Sequence, residues 1–191
     1  MTTTTLSPPT DEGRHTRLPP RLSLTPAGTT PTPLDGAWWP RSRDLAAELP
    51  ALTAVLDPMW GRITRLAVNS TYWPVTPRKI PVSGHVVKVG WFTAELDPHS
   101  LLLRSYGAGR WDLLVIPPRT PPETAAWLMA TALDPARVQT ASRMMQEAAD
   151  RRQSSEGDAD RQAIWDSEGG RTGPLRTAQT PVPLWASAKK G

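Results

Sequence analysis

The sequence predicts an α+β fold: an antiparallel sheet of about five to six short strands, one helix between strands 2 and 3, continuous or split at Pro50, and two C-terminal helices. Three observations predict it. Short apolar runs alternate with period two between Leu22 and Ile116. Leucines recur at helical spacing from Leu45 to Leu56. Helix-start signals then replace strand patterns after Thr120. With 191 residues and no internal repeat, the chain has room for one core.

The ends differ from the middle. The hydrophobic share is 38%, with 22 Pro and 13 Gly, and the apolar residues concentrate between Leu22 and Met145. Residues 1–20 are rich in Thr and Pro, and residues 153–191 in Ser, Gly and charge. Neither stretch buries enough apolar surface to offset its chain entropy, so both are expected to be disordered tails around a domain of residues 21–152.

Within that domain the first strand is Arg21-Leu-Ser-Leu-Thr. The second is Leu34 to Ser42, ended by Pro40. Ser42 is the expected N-cap of a helix whose Leu45, Leu49, Leu52 and Leu56 form one stripe, and Asp57-Pro58 should stop it. Strands are expected at Arg62–Trp73, His85–Phe92, Ser100–Tyr106 and Trp111–Ile116, the last two forming a hairpin across Gly107-Ala-Gly-Arg110. Thr120-Pro-Pro-Glu123 has capping-box spacing and opens a helix to about Leu133. Asp134-Pro135 opens the last helix, with Val138, Ala141, Met145 and Ala148 on one side. Beyond Arg152 only a weak helical turn near Asp160 to Trp165 and the Pro181 to Trp185 stretch stand out.

Composition narrows the function classes. The net charge is +4, from 22 basic and 18 acidic residues. Between Arg21 and Asp150 the count is 13 against 11, so no domain-wide field for nucleic acid follows. Without cysteine there is no disulfide, thiolate metal site or Cys nucleophile, and three histidines argue against a transition-metal centre. The start of the chain lacks a basic and apolar leader, and no apolar run approaches a membrane span. A cytoplasmic protein without a membrane partner is expected.

The segment Leu34-Asp-Gly-Ala-Trp-Trp-Pro-Arg-Ser-Arg-Asp-Leu, with Trp60-Gly-Arg, Trp73-Pro, Gly84-His-Val-Val and Gly109-Arg-Trp-Asp-Leu-Leu-Val-Ile-Pro-Pro, resembles a family of small actinobacterial proteins classed as a domain of unknown function. The resemblance covers about residues 21–150. It implies domain limits and a bacterial cytosolic setting, and it implies no reaction, ligand, cofactor or catalytic residue.

Candidate site residues come from chemistry alone. Seven of nine tryptophans lie between Trp38 and Trp127, where a chain with a single Phe also needs Trp for core bulk. Trp38 and Trp39 are neighbours on a strand and cannot enter the same core, so one of them must line a second layer, a groove or an interface. Arg41 and Arg43 precede a helix N-terminus, where an anion could be held, or else they pair with Asp35, Asp44 or Glu48. His85, beside Ser83 and across from Asp112, suggests a general base but lacks a nucleophile elbow, and it reads better as a hydrogen-bonded structural histidine. Gly107-Ala-Gly fails the context test for a dinucleotide loop.

Three functions remain. The first is a non-enzymatic binding or regulatory module that takes a protein or small ligand near Asp35, Trp38, Trp39, Arg41 and Arg43. The second is a nucleic-acid binder using sheet Trp and Arg, which requires a continuous basic stripe and is disfavoured by the near-neutral sum. The third is a small enzyme using Asp35, Arg41, Arg110 and Asp112. No cofactor is implied.

Overall fold

In a computed structural model the chain places Trp38 and Trp39 on opposite faces of one sheet, each against its own hydrophobic layer. The structure describes residues 18–26, 32–107 and 109–168, with side chains through Trp165. The strands are β1 (Arg21–Leu24), β2 (Gly36–Trp39), β3 (Ile63–Val68), β4 (Lys79–Val82), β5 (His85–Trp91), β6 (Ser100–Ser105) and β7 (Arg110–Val115). The helices are α1 (Leu45–Trp60), α2 (Pro122–Thr131) and α3 (Ala141–Glu168). Compact packing extends to Arg152, and a separate unit begins at Gln153.

The fold is α+β, but the sheet is not purely antiparallel. Its seven strands run in the order β1-β2-β7-β6-β3-β5-β4, with β2 parallel to β7 and β3 parallel to β5. The expectation of an antiparallel sheet rested on the β6–β7 hairpin, which does form. The parallel contacts join strands far apart in sequence, where no local turn reports direction. The seventh strand, β4, was hidden because Pro81 interrupts its pattern. It lies at the sheet edge, where a missing N–H costs no ladder bond. Ser83 and Gly84, the latter at φ +77°, turn it back into β5.

Helix α1 covers one face. Leu45, Leu49, Leu52 and Leu56 are all buried with Trp38, Leu66, Leu103 and Leu113, as their spacing predicts. Its N-cap is Asp44 rather than Ser42: the Asp44 carboxylate accepts from the N–H groups of Ala46 (3.0 Å) and Ala47 (3.2 Å). The helix is not split at Pro50 and does not stop at Asp57-Pro58. Each proline leaves one carbonyl, at Ala46 and Ala54, without its usual N–H donor. Both residues are solvent-exposed, so water can replace that donor.

On the opposite face Ala37, Leu114 and Ile116 pack against Ala125 and Leu128 of α2 and Met144 and Ala148 of α3. The capping box does not form, because Pro121 precedes Pro122 and is held extended (ψ 142°), making it the N-cap and leaving Thr120 one position outside. Asp134-Pro135 forms a turn, with Asp134 accepting from the Ala136 N–H at 2.9 Å, and α3 starts only at Ala141. There Asp97 takes the Ser142 N–H (2.9 Å) and hydroxyl (2.7 Å). Helix α3 also continues past Arg152 to Glu168. From Gln153 to Trp165 it has no buried side of the kind that periodicity detects, and Ser154, Ser155, Gly157, Asp158 and Asp160 lower its local helix propensity. The expectations for residues 1–17 and for 169–191, including Pro181 to Trp185, lie outside the described residues.

One backbone contact fixes the β1–β2 edge. Gly36 adopts φ +155°, and a Cβ there would stand 2.2 Å from the Ser23 carbonyl oxygen. Gly36→Ala must therefore push β1 from β2. It is expected to destabilise the fold by about 3 kcal/mol or more, measured by chemical denaturation, and a loss below about 1 kcal/mol would refute the close approach.

Candidate functional site

Apart from His85 on β5 and the tryptophans of β2 itself, the predicted site residues separate into two groups at opposite ends of β2. At its start, Asp35 ties three strands together. Its carbonyl accepts from the Thr25 N–H (2.9 Å), its N–H donates to the Asp112 carbonyl (2.7 Å), and its carboxylate accepts from the Asp112 N–H (2.8 Å). Arg110 closes on the Asp112 carboxylate with two bonds, at 3.0 and 3.3 Å. Of the four residues of the third reading these three meet, while Arg41 lies at the other end of β2, and the polar atoms of the three are mostly spent on one another and on backbone. Burial and the neighbouring Asp112 charge raise the Asp35 pKa above the ordinary carboxylate value, against the lowering effect of the hydrogen bond with Asp112.

The tryptophans themselves are not open to a ligand. Trp38 is 1% exposed and stacks on Trp73 with centroids 5.7 Å apart. Trp39 donates its indole N–H to the Pro117 carbonyl (3.1 Å) and is covered by the Arg21 guanidinium 3.5 Å from its ring centre. His85 faces the Ile63 carbonyl at 2.8 Å and the Ser83 carbonyl at 3.2 Å, with Asp57 at 3.7 Å. It joins the end of α1 to β3 and β5, and Asp112 lies elsewhere in the sheet, on β7.

Arg41 and Arg43 lie at the other end of β2, in a cleft of about 770 Å3 that Arg119, Tyr72 and His99 also line. Local hydrogen bonds place each part. Glu48 holds the approach to α1, accepting from the Ser42 hydroxyl (2.9 Å) and the Arg41 N–H (3.2 Å). Buried Asn69 fixes the loop after β3 by donating to the Thr93 and Leu96 carbonyls (3.1 and 2.7 Å) and accepting from the Thr71 N–H (2.9 Å). That loop presents Tyr72. Asp97 accepts from the His99 N–H (2.9 Å) and so sets the turn entering β6. Pro117 to Arg119 follow directly from the end of β7.

The cleft has a cationic mouth and a neutral polar wall. Arg43 donates to the Thr71 carbonyl (3.0 Å) and the Tyr72 carbonyl (2.7 Å from Nε) and makes no ion pair with a carboxylate among the described residues. The side chains of Arg41 and Arg119 make no ion pair with a carboxylate among the described residues. Arg41 is close enough to lower the Arg21 pKa, after the larger effect of burial. Behind them Tyr72 and His99 meet edge to face at 5.9 Å. Tyr72 Oη and His99 Nδ1 are buried and have no hydrogen-bond partner among the described residues. Burial lowers the His99 pKa despite the Asp97 charge, and raises that of the Tyr72 hydroxyl despite Arg43, so both are neutral near pH 7.

Tyr72, His99 and Arg119 were not among the predicted site residues. They come from three loops that meet only because β2 and β7 run parallel and end side by side, a pairing without a local signal. Crevices beside the carboxyl ends of parallel strands are common ligand positions.

The family comparison covers the whole sheet. The chain belongs to DUF5994, a family of unknown function whose model matches residues 21–132, from β1 to the end of α2. No curated protein and no solved structure matches it. Among the described residues no helix is long and apolar enough to cross a membrane.

The raised pKa of Asp35 gives a signed pH effect. The folded chain holds this proton more tightly than the unfolded chain, so the contribution favours folding below about pH 4 and is lost as pH rises through the folded value. Asp35→Asn keeps an oxygen for the Asp112 N–H, so it should match the parent in acid and equal or exceed it at pH 7. The stability of the parent relative to the variant should be greatest in acid and fall as pH rises. Asp35→Ala, which orphans that N–H, should lose about 1–3 kcal/mol in denaturant titrations at pH 7.

Proposed function

We propose that this DUF5994 chain is a non-enzymatic binding or regulatory module whose cleft takes a small anionic ligand bearing phosphate or carboxylate groups. One observation carries the reading: Arg41, Arg43 and Arg119 converge on a single cleft whose described lining residues include no carboxylate. Guanidinium groups bind phosphate and carboxylate through paired N–H donors, and Arg43 is already held in place by two carbonyls. The anion-binding part of the reading agrees with the position of Arg41 and Arg43 before α1. The helix N–H groups of Ala46 and Ala47 are occupied by Asp44, so arginine side chains rather than the helix end supply the charge.

The binding reading outranks the catalytic one on geometry. Asp35, Arg110 and Asp112 lie at the far end of β2 from the cleft, and Tyr72 Oη and His99 Nδ1 are closed off from solvent. Lack of cysteine suits the reducing interior of a bacterial cell, the setting included in this proposal.

Calorimetric titration of the full chain with sulfate, pyrophosphate and citrate at low salt tests the reading. Binding of at least one anion is expected, weakened about tenfold or more by Arg41→Ala or Arg119→Ala and unchanged by Arg110→Ala. An anion near His99 favours its protonated form, so affinity for sulfate should rise as pH falls below about 6.5, and His99→Phe should remove that trend. No binding by any of the three anions, or equal binding by the Arg41 and Arg119 variants, would overturn it.

A further inference from the structure

The open part of the sheet face that α2 and α3 partly cover carries a second concentration of positive charge, independent of the cleft. Strand register aligns it. Lys79 on β4 is opposite Lys88 on β5, Lys88 is opposite Arg65 on β3, Arg65 is opposite Arg104 on β6, and Arg104 is opposite Arg110 on β7. Residues in register share a face, so five basic side chains form one row across five adjacent strands, and all five are exposed. At a strand spacing of about 4.8 Å the row is about 19 Å long. Arg110 is paired with Asp112, while Lys79, Lys88, Arg65 and Arg104 have no ion-pair partner among the described residues.

Such a row opposes folding, because like charges directly across strands repel. It also borders an aromatic platform. Phe92, 46% exposed, lies over Gly90, where a Cβ would stand 3.4 Å from its ring. A hollow of about 520 Å3 joins Phe92 and Gly90 to Arg65, Lys88 and Arg104, with Leu102 in its wall.

We propose that this face docks single-stranded nucleic acid, with the sugar-phosphate backbone following the basic row and a base stacking on Phe92. A polyanion relieves the repulsion along the row, and an unpaired base supplies the flat apolar surface that a half-exposed Phe over a glycine can accept. A duplex keeps its bases stacked inside and offers Phe92 nothing. The balance of 13 basic and 11 acidic residues between Arg21 and Asp150 does not oppose this, since the row gathers five of the 13 on one surface.

The test is fluorescence anisotropy of the full chain with a labelled oligothymidylate of about 12 nucleotides, a length within the site sizes of known single-strand binders. Competition with a duplex of equal length and with inorganic polyphosphate identifies the occupant. Binding at low salt should weaken with a log–log salt slope of about −3, as four neutralised phosphates would give. The double variant Arg65→Gln/Arg104→Gln should bind at least tenfold more weakly. Its melting temperature should equal or exceed the parent's, because a repulsion has been removed. Phe92→Ala should weaken oligonucleotide binding about fivefold or more without changing polyphosphate binding. Arg41→Ala and Arg119→Ala should leave it unchanged, which separates this surface from the anion cleft. The proposal is overturned by no binding at low salt, by duplex or polyphosphate competing as well as the single strand, or by insensitivity to the double variant or to Phe92→Ala.

Discussion

The parallel contact between β2 and β7 is the constraint on which the rest of the structure depends. It places Gly36, Ala37 and Trp38 beside Leu113, Leu114 and Val115, so that two alternating strands feed apolar side chains to both faces at once. One face becomes the core under α1 and the other the layer beneath α2 and α3. The same contact brings the loops after β2 and β7 together, which creates the cleft. It also brings Asp35 against Asp112 at the opposite end. Burying consecutive tryptophans is the local expression of this arrangement: Trp38 stacks within the first layer, and Trp39 is hydrogen-bonded and capped by Arg21 in the second.

Much of the fold was legible because periodicity is local. The leucine stripe of α1 and six of the seven strands were evident from alternation and spacing. Strand direction was not, since β2 and β7 are more than 70 residues apart and only their meeting reveals parallel pairing. Local rules also misled where two of them competed. Thr120 has the right spacing for a cap, but the Pro121-Pro122 pair shifts the start of α2 by one residue, and Asp44 rather than Ser42 caps α1. Pro50 and Pro58 look like stops, yet the carbonyls they leave without donors belong to exposed Ala46 and Ala54. For the cleft, Arg41 and Arg43 were identifiable as cations before a helix. Tyr72, His99 and Arg119 were not, because no motif links three loops assembled by topology.

Charge shows the same difference between sum and arrangement. A net excess of two over the region from Arg21 to Asp150 looks unremarkable, and it is the basis on which a polyanion partner is disfavoured from composition. Register turns that total into local fields. A row of five crosses the sheet face, and three arginines surround the cleft at the ends of β2 and β7. Several acids have structural partners: the Asp35 carboxylate joins β2 to β7, Asp112 pairs with Arg110 at the end of the row, Asp44 and Asp97 serve helix starts, and Glu48 braces the chain entering α1.

Pro81 has a consequence beyond hiding β4 from the alternation pattern. It sits on the outermost strand, beside the charged Lys79, and has no N–H to offer outward. A strand from another molecule would find its hydrogen-bonding ladder interrupted in the middle of a four-residue edge. Growth of the sheet by edge-to-edge pairing is disfavoured on that side, which leaves side chains rather than shared backbone as the means of association along this border.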